Sequence, residues 1–181
     1  MPDTVTVILT LIFIAGLMWF LGPFYLPKLG KTLVKLDLSS QLSKSKLKEK
    51  SIILDNGDTA WYLERINNEK SNEKALVIVP GLSVYMHFMG AQVKDLIELN
   101  PNRRIIIFEL PYHGKRASMG ENFVEPGCSL DAMTISLERF LTNIGLNEPF
   151  DLMGYSLGGS IVTNYAARNP SNVNRLVLVA P

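Results

Sequence analysis

With one cysteine in the chain, Cys128, no internal disulfide can form, and the absence of a C-x-x-C partner leaves it reading as a lone buried thiol. Histidine is almost as scarce. Only His87 and His113 occur, at no metal-ligand spacing, so no metal or other cofactor is expected. A net charge of +1 over 181 residues provides no bulk field to draw nucleic acid, and a hydrophobic fraction of 47% excludes disorder. There is no internal repeat and no low-complexity tract. One further absence matters below: residues 157–181 contain no histidine and no carboxylate.

A long uncharged run is, by contrast, present. Residues 5–26 (VTVILTLIFIAGLMWFLGPFYL) are long enough to cross about 30 Å of hydrocarbon as a helix. A cleaved signal peptide would want a basic start and a small-residue cleavage site. Here the start is Met-Pro-Asp and the run ends among Trp19, Phe20, Phe24 and Tyr25, which suit an interfacial belt. A retained single-pass anchor over residues 1–27 is therefore expected. Residues 28–50 read as a basic juxtamembrane linker, with Lys28, Lys31, Lys35, Lys44, Lys46, Lys48 and Lys50 against Asp37 and Glu49. That bias predicts a cytosolic domain on an endomembrane or the plasma membrane. The lysines either lie on anionic headgroups, at about 1 kcal/mol each, or belong to a solvated linker.

From residue 51 onward strands alternate with helices. Residues 51–54 and 59–66 flank Asp55-Asn-Gly-Asp58, a hairpin signal. The continuous apolar runs 75–79 and 105–108 predict strands buried on both faces. A helix is expected over 89–99. Another should start at an N-cap Ser129, with Leu130, Met133, Leu137, Phe140, Leu141 and Ile144 at helical spacing, and stop at Gly145. A strand from Phe150, a helix from Leu157 and a last apolar run over 176–179 complete a mostly parallel, helix-flanked sheet over residues 51–181.

The most informative stretch is Phe150-Asp-Leu-Met-Gly-Tyr-Ser-Leu-Gly-Gly159. Its G-x-S-x-G places Ser156 at a sharp strand-to-helix turn, the arrangement known as a nucleophile elbow. Gly154 and Gly158 would remove the side chains such a turn cannot hold. Ser156 would then occupy a sparsely populated backbone conformation and project from the sheet's carboxyl edge.

These features resemble the α/β-hydrolase fold, and the anchor together with G-Y-S-L-G-G resembles the membrane-bound monoacylglycerol lipase type within it. The likeness covers roughly residues 77–181, carried by Val79-Pro-Gly-Leu-Ser83, Glu109-Leu-Pro-Tyr-His-Gly114 and the elbow. It implies a serine hydrolase of lipid esters, with Ser156 as nucleophile and the backbone amides of Leu82 and Leu157 holding the oxyanion. The family usually has His-Gly where Pro80-Gly81 stands, and Asp-x-Pro-Gly-His-Gly where Glu109 and Tyr112 are substituted. If the replaced glycine needs a positive φ, Tyr112 is strained. His113 reads as a loop residue, and His87, within the apolar stretch 84–89, as a packing residue. That stretch is also a candidate lining for an acyl pocket.

In this fold the triad acid and histidine follow the serine along the chain. Neither is present after Ser156, and both histidines precede it. The expectation is therefore a C-terminally truncated hydrolase, a fragment or short isoform of a lipid esterase whose partners are the bilayer and an ester substrate. The alternative is a catalytically dead hydrolase fold with a binding or assembly role. The sequence leaves oligomeric state open.

Overall fold

Residues 76–79 and 105–108 are apolar at every position, and both become short strands with no exposed face: β3 (Leu76–Val79) and β4 (Ile105–Phe108). Side chains alternate across a strand, so each run feeds two cores. Val77, Val79, Ile106 and Phe108 join one apolar cluster, while Leu76, Ile78, Ile105 and Ile107 join the other. Each such fully buried side chain contributes about 1.5–3 kcal/mol.

The structure is a computed structural model and describes residues 40, 46–65, 73–117 and 129–181. The chain divides into two units, residues 1–40 and 41–181. The anchor expected at 5–26, most of the linker and Cys128 lie outside the described residues. Among the described residues no helix is long and apolar enough to cross a membrane.

Within residues 41–181 the hairpin comes first. β1 (Lys48–Ile53) and β2 (Thr59–Arg65) pair antiparallel. β1 thus starts three residues before the expected boundary. Gly57, at φ +84°, supplies the left-handed turn residue, and the Leu54 amide donates to the Asp58 carbonyl at 2.7 Å. The expected helix over 89–99 is two helices, α1 (Met86–Gln92) and α2 (Lys94–Leu99), separated at Val93. α3 (Gly114–Ala117) is a single turn following β4. α4 (Leu130–Asn143) begins as expected at Ser129, whose hydroxyl accepts from the Ala132 amide at 3.1 Å. It stops before Gly145, at φ +67°. β5 (Phe150–Tyr155), α5 (Leu157–Arg168), one 3₁₀ turn and β6 (Val173–Val179) follow.

The six strands lie in the order β1-β2-β4-β3-β5-β6, parallel from β4 to β6, with the β1-β2 hairpin antiparallel at the other side. α4 and α5 cover one face, where Phe140 stacks on Phe108 at 4.8 Å and meets Tyr62 edge-on. α1 and α2 cover the other through Met86, Met89 and Ile97.

Several buried charges have charged or polar partners. Glu64 accepts from Lys50 at 2.6 Å and from Arg104 at 2.7 Å. Arg116, wholly buried, pairs with Asp58 and donates to Ser136 Oγ at 3.2 Å. Arg65 donates to the Ile97 carbonyl at the end of α2 (2.8 Å), where a cation is favoured.

Candidate active site

The order of strands brings the site together. Successive strands move from β3 outward to β4, and then return to the other side of β3 for β5. In an open parallel sheet ligands bind beyond the carboxyl ends of the strands at such a reversal. The segments leaving β3 and β5 there are Pro80–Val84 and Tyr155–Leu157.

Ser156 has φ 50° and ψ −121°, between the last residue of β5 and the first of α5. A non-glycine residue there stores about 1–3 kcal/mol of strain. The surroundings enforce it. Its amide donates to the Val179 carbonyl of β6 at 2.9 Å, and its carbonyl accepts from the Gly159 amide at 2.7 Å. The side chain is half-buried rather than tucked into the core.

Close backbone approach explains the glycines. A Cβ on Gly154 would stand 2.5 Å from Val162 Cγ2, and one on Gly158 would meet the Val79 carbonyl and lie 2.6 Å from that of Pro80. A Cβ on Gly81 would stand 3.0 Å from the Ser156 Cβ. The turn after β3 is therefore pressed directly against the serine. Leu82 follows Gly81 in that turn, which closes through Val84 N–H donating to the Gly81 carbonyl at 3.2 Å. The Leu82 side chain is exposed, and Ser83 has φ 60°. Leu157 opens α5, half-buried against the α4–α5 core. First-turn amides of a helix have no intrahelical acceptor.

Neither histidine hydrogen-bonds to Ser156 among the described residues. His113 is buried, with Nδ1 2.7 Å from the Pro111 carbonyl. His87 is partly exposed, its Nε2 2.8 Å from Glu49 Oε2. Lys115 also pairs with Glu49, and lies 4.2 Å above the Trp61 ring. Burial raises the Glu49 pKa, but the hydrogen bonds and positive charges of Lys115 and His87 outweigh it and hold the carboxyl below its ordinary range. This cluster was not legible in the sequence, because Glu49 lies 38 residues from His87 and 66 from Lys115. Among the described residues no group of His, Cys, Asp and Glu is placed to hold a metal.

The loop after β4 carries two further findings. Tyr112, at φ 61°, occupies the left-handed conformation expected of the glycine it replaces. Glu109 is 1% exposed, and its Oε1 accepts from the Met86 amide at 3.3 Å while Oε2 has no hydrogen-bond partner. Burial pushes its carboxyl up to about 7, only partly offset by the Met86 amide and Arg116. The sequence marked Glu109 as a substitution but gave no sign of this environment.

A family model described as alpha/beta hydrolase fold matches residues 74–181. A monoacylglycerol lipase of Xenopus laevis (abhd6-B) is 26% identical over 111 residues, covering 61% of this chain and 31% of that protein. The (lyso)-N-acylphosphatidylethanolamine lipase of Homo sapiens is 26% identical over 141 residues, covering 78% of this chain and 40% of that protein. The crystal structure of a bacterial membrane phospholipase A superposes with a TM-score of 0.66 at 23% identity, over 96% of this chain and 50% of that one, a likeness of fold. The chain thus spans about a third of the length of the curated relatives it matches. With the matching family model, the parallel sheet and the strained serine turn all agreeing, the chain belongs to the α/β-hydrolase fold family.

Proposed function

We propose that the chain carries the nucleophile half of a membrane-anchored serine hydrolase that cleaves lipid carboxylic esters of the monoacylglycerol type. The observation that carries this reading is the strained Ser156 turn, held by Gly154 and Gly158 and abutted by Gly81. In the proposed reaction Ser156 Oγ attacks the ester carbonyl and gives its proton to a base. The carbonyl oxygen takes the negative charge and accepts from the Leu82 and Leu157 amides. Collapse breaks the ester C–O bond, the alcohol leaves with that proton, and water hydrolyses the acyl-enzyme. Losing one of two such donors in a comparable protease costs roughly 2.7–4 kcal/mol.

The triad acid and base are proposed to come from a longer product of the same gene, since the part matched here is 31% and 40% of the length of these relatives. Residues 5–26 are proposed to span the bilayer with the hydrolase unit on the cytosolic side, where it meets lipid esters at high local concentration. Serine at the elbow is at odds with relatives that form an ester on a carboxylate. The lipase names of the curated relatives support the ester class.

The second reading, a non-catalytic hydrolase fold with a binding role, is favoured by the engagement of His87 with Glu49 and of His113 with Pro111. A fluorophosphonate probe separates the two. Labelling at Ser156 in the longer product, lost in Ser156→Ala, is the outcome expected of the hydrolase. Labelling of neither the longer product nor this chain would overturn it. Release of the full chain from membranes by alkaline carbonate would overturn the spanning helix.

A further inference from the structure

Glu109 is a buried carboxyl that the proposed reaction does not use, at the carboxyl end of β4. Three observations define its place. Its Oε1 accepts from Met86 N–H, the first amide of α1, 23 residues away in the chain. Its Oε2 fills the space over Gly114, where an added Cβ would stand 2.5 Å away, and has no partner there. Its own backbone is fixed on both sides, the amide donating to the Trp61 carbonyl at 3.0 Å and the carbonyl accepting from Arg116 at 3.2 Å.

α1 follows the turn that packs on Ser156. Gly81 touches the serine, Val84 closes the turn, Tyr85 caps the helix without a side-chain hydrogen bond, and Met86 is its first residue. The backbone from Gly81 to Met86 therefore runs from close beside Ser156, where a side chain on Gly81 would not fit, to the Glu109 carboxyl that holds the Met86 amide. Leu82, Ser83 and Tyr85 between these points are exposed, and nothing else described in that stretch besides Val84 and Met86 packs inward.

We propose that Glu109 is a positioning residue that fixes the start of α1, and through it the Gly81–Val84 turn, beside Ser156. In the hydrolase reading this turn presents the Leu82 amide, but the inference concerns the turn itself and stands without catalysis. Protonation of the carboxyl would weaken Oε1 as an acceptor. The charged groups that act on it are Arg116 and Lys115 from α3, which favour the carboxylate, and Glu49 from β1, which opposes it. The turn is therefore expected to loosen as the carboxyl takes up its proton.

The test uses the full chain in detergent micelles and residue-resolved amide exchange, corrected for intrinsic rates. Glu109→Leu, which removes the acceptor, should raise exchange at Met86 roughly tenfold, and in parallel at Val84, whose amide closes the turn on the Gly81 carbonyl. Glu109→Gln keeps a neutral and so weaker acceptor, as the protonated carboxyl does, and should leave exchange at Met86 between those of the wild type and Glu109→Leu. The Met86 amide shift should titrate through neutral pH in the wild-type chain and not in Glu109→Gln. A folded Glu109→Leu with unchanged exchange at Met86 and Val84 overturns the proposal. If that variant does not fold, Glu109→Asp takes its place, which draws the carboxyl back by one methylene from the Met86 amide, and unchanged exchange at Met86 there overturns the proposal. Neither result depends on acylation of Ser156, so failure here and failure of the hydrolase reading are separable.

Discussion

At Ser156 an unfavourable backbone conformation persists because its neighbours leave no alternative. The Val79 and Pro80 carbonyls occupy the space beside Gly158, Val162 occupies that beside Gly154, and the amide of Ser156 is held by β6. Glycine enters the region at φ 50°, ψ −121° at little cost. Ser156→Gly should therefore stabilise the fold by about 1 kcal/mol while removing every trace of probe labelling. Chemical denaturation would show it, and an unchanged or lower midpoint would mean that the turn stores no strain. Glu109 gives a second prediction at this scale. Its carboxyl titrates near 7 in the fold, above the 4.5 of an ordinary glutamate. Between these values the unfolded chain releases a proton that the folded chain retains, so this group's contribution to stability falls as pH rises from about 4.5 to about 7. The wild type should accordingly lose more thermal stability between pH 5 and 7.5 than Glu109→Gln does. Equal losses would place the ordinary pKa on Glu109.

Individual elements were legible where local chemistry decides them. Ser129 was readable as a cap because a serine before a helical apolar pattern can satisfy a first-turn amide, and its hydroxyl accepts from Ala132. Ser129→Ala should cost about 1 kcal/mol, measured by denaturant midpoint, and a change under a few tenths would show the cap to be redundant. The helix expected over 89–99 is two helices, because the apolar pattern runs on through Val93 while the backbone there, at ψ 15°, leaves the helix. The two resulting helices bury Met86, Met89 and Ile97 on the same face of the sheet, so tertiary packing sets the break. The last strand, expected over residues 176–179, begins at Val173, because Val173 and Arg175 of its mixed start pair with β5 across an irregularity that leaves Asn174 unpaired in the ladder. Asn174 even donates to Asp151 at 2.6 Å. Ladder pairing of that kind has no signature in apolar periodicity.

Across the described residues, β6 is the outermost strand on the side of the elbow, with Leu176, Val177 and Leu178 each about two-fifths exposed. An apolar edge open on both faces templates pairing with other chains. Val177→Lys should lower self-association of the full chain in detergent, read by light scattering at matched concentration. An unchanged particle size would mean that association does not run through this edge. The sequence by itself determined the strand–turn–helix around Ser156 and the two doubly buried strands, because these rest on nearest-neighbour sterics and on unbroken apolar runs, and its motifs carried the resemblance to the family. The tertiary structure alone decided that β5 returns beside β3 and so presses Gly81 on Ser156, that Glu49 meets His87 and Lys115, and that the Glu109 carboxyl is sealed against the first amide of α1. Those contacts join residues tens of positions apart, and only the strand order brings them within reach.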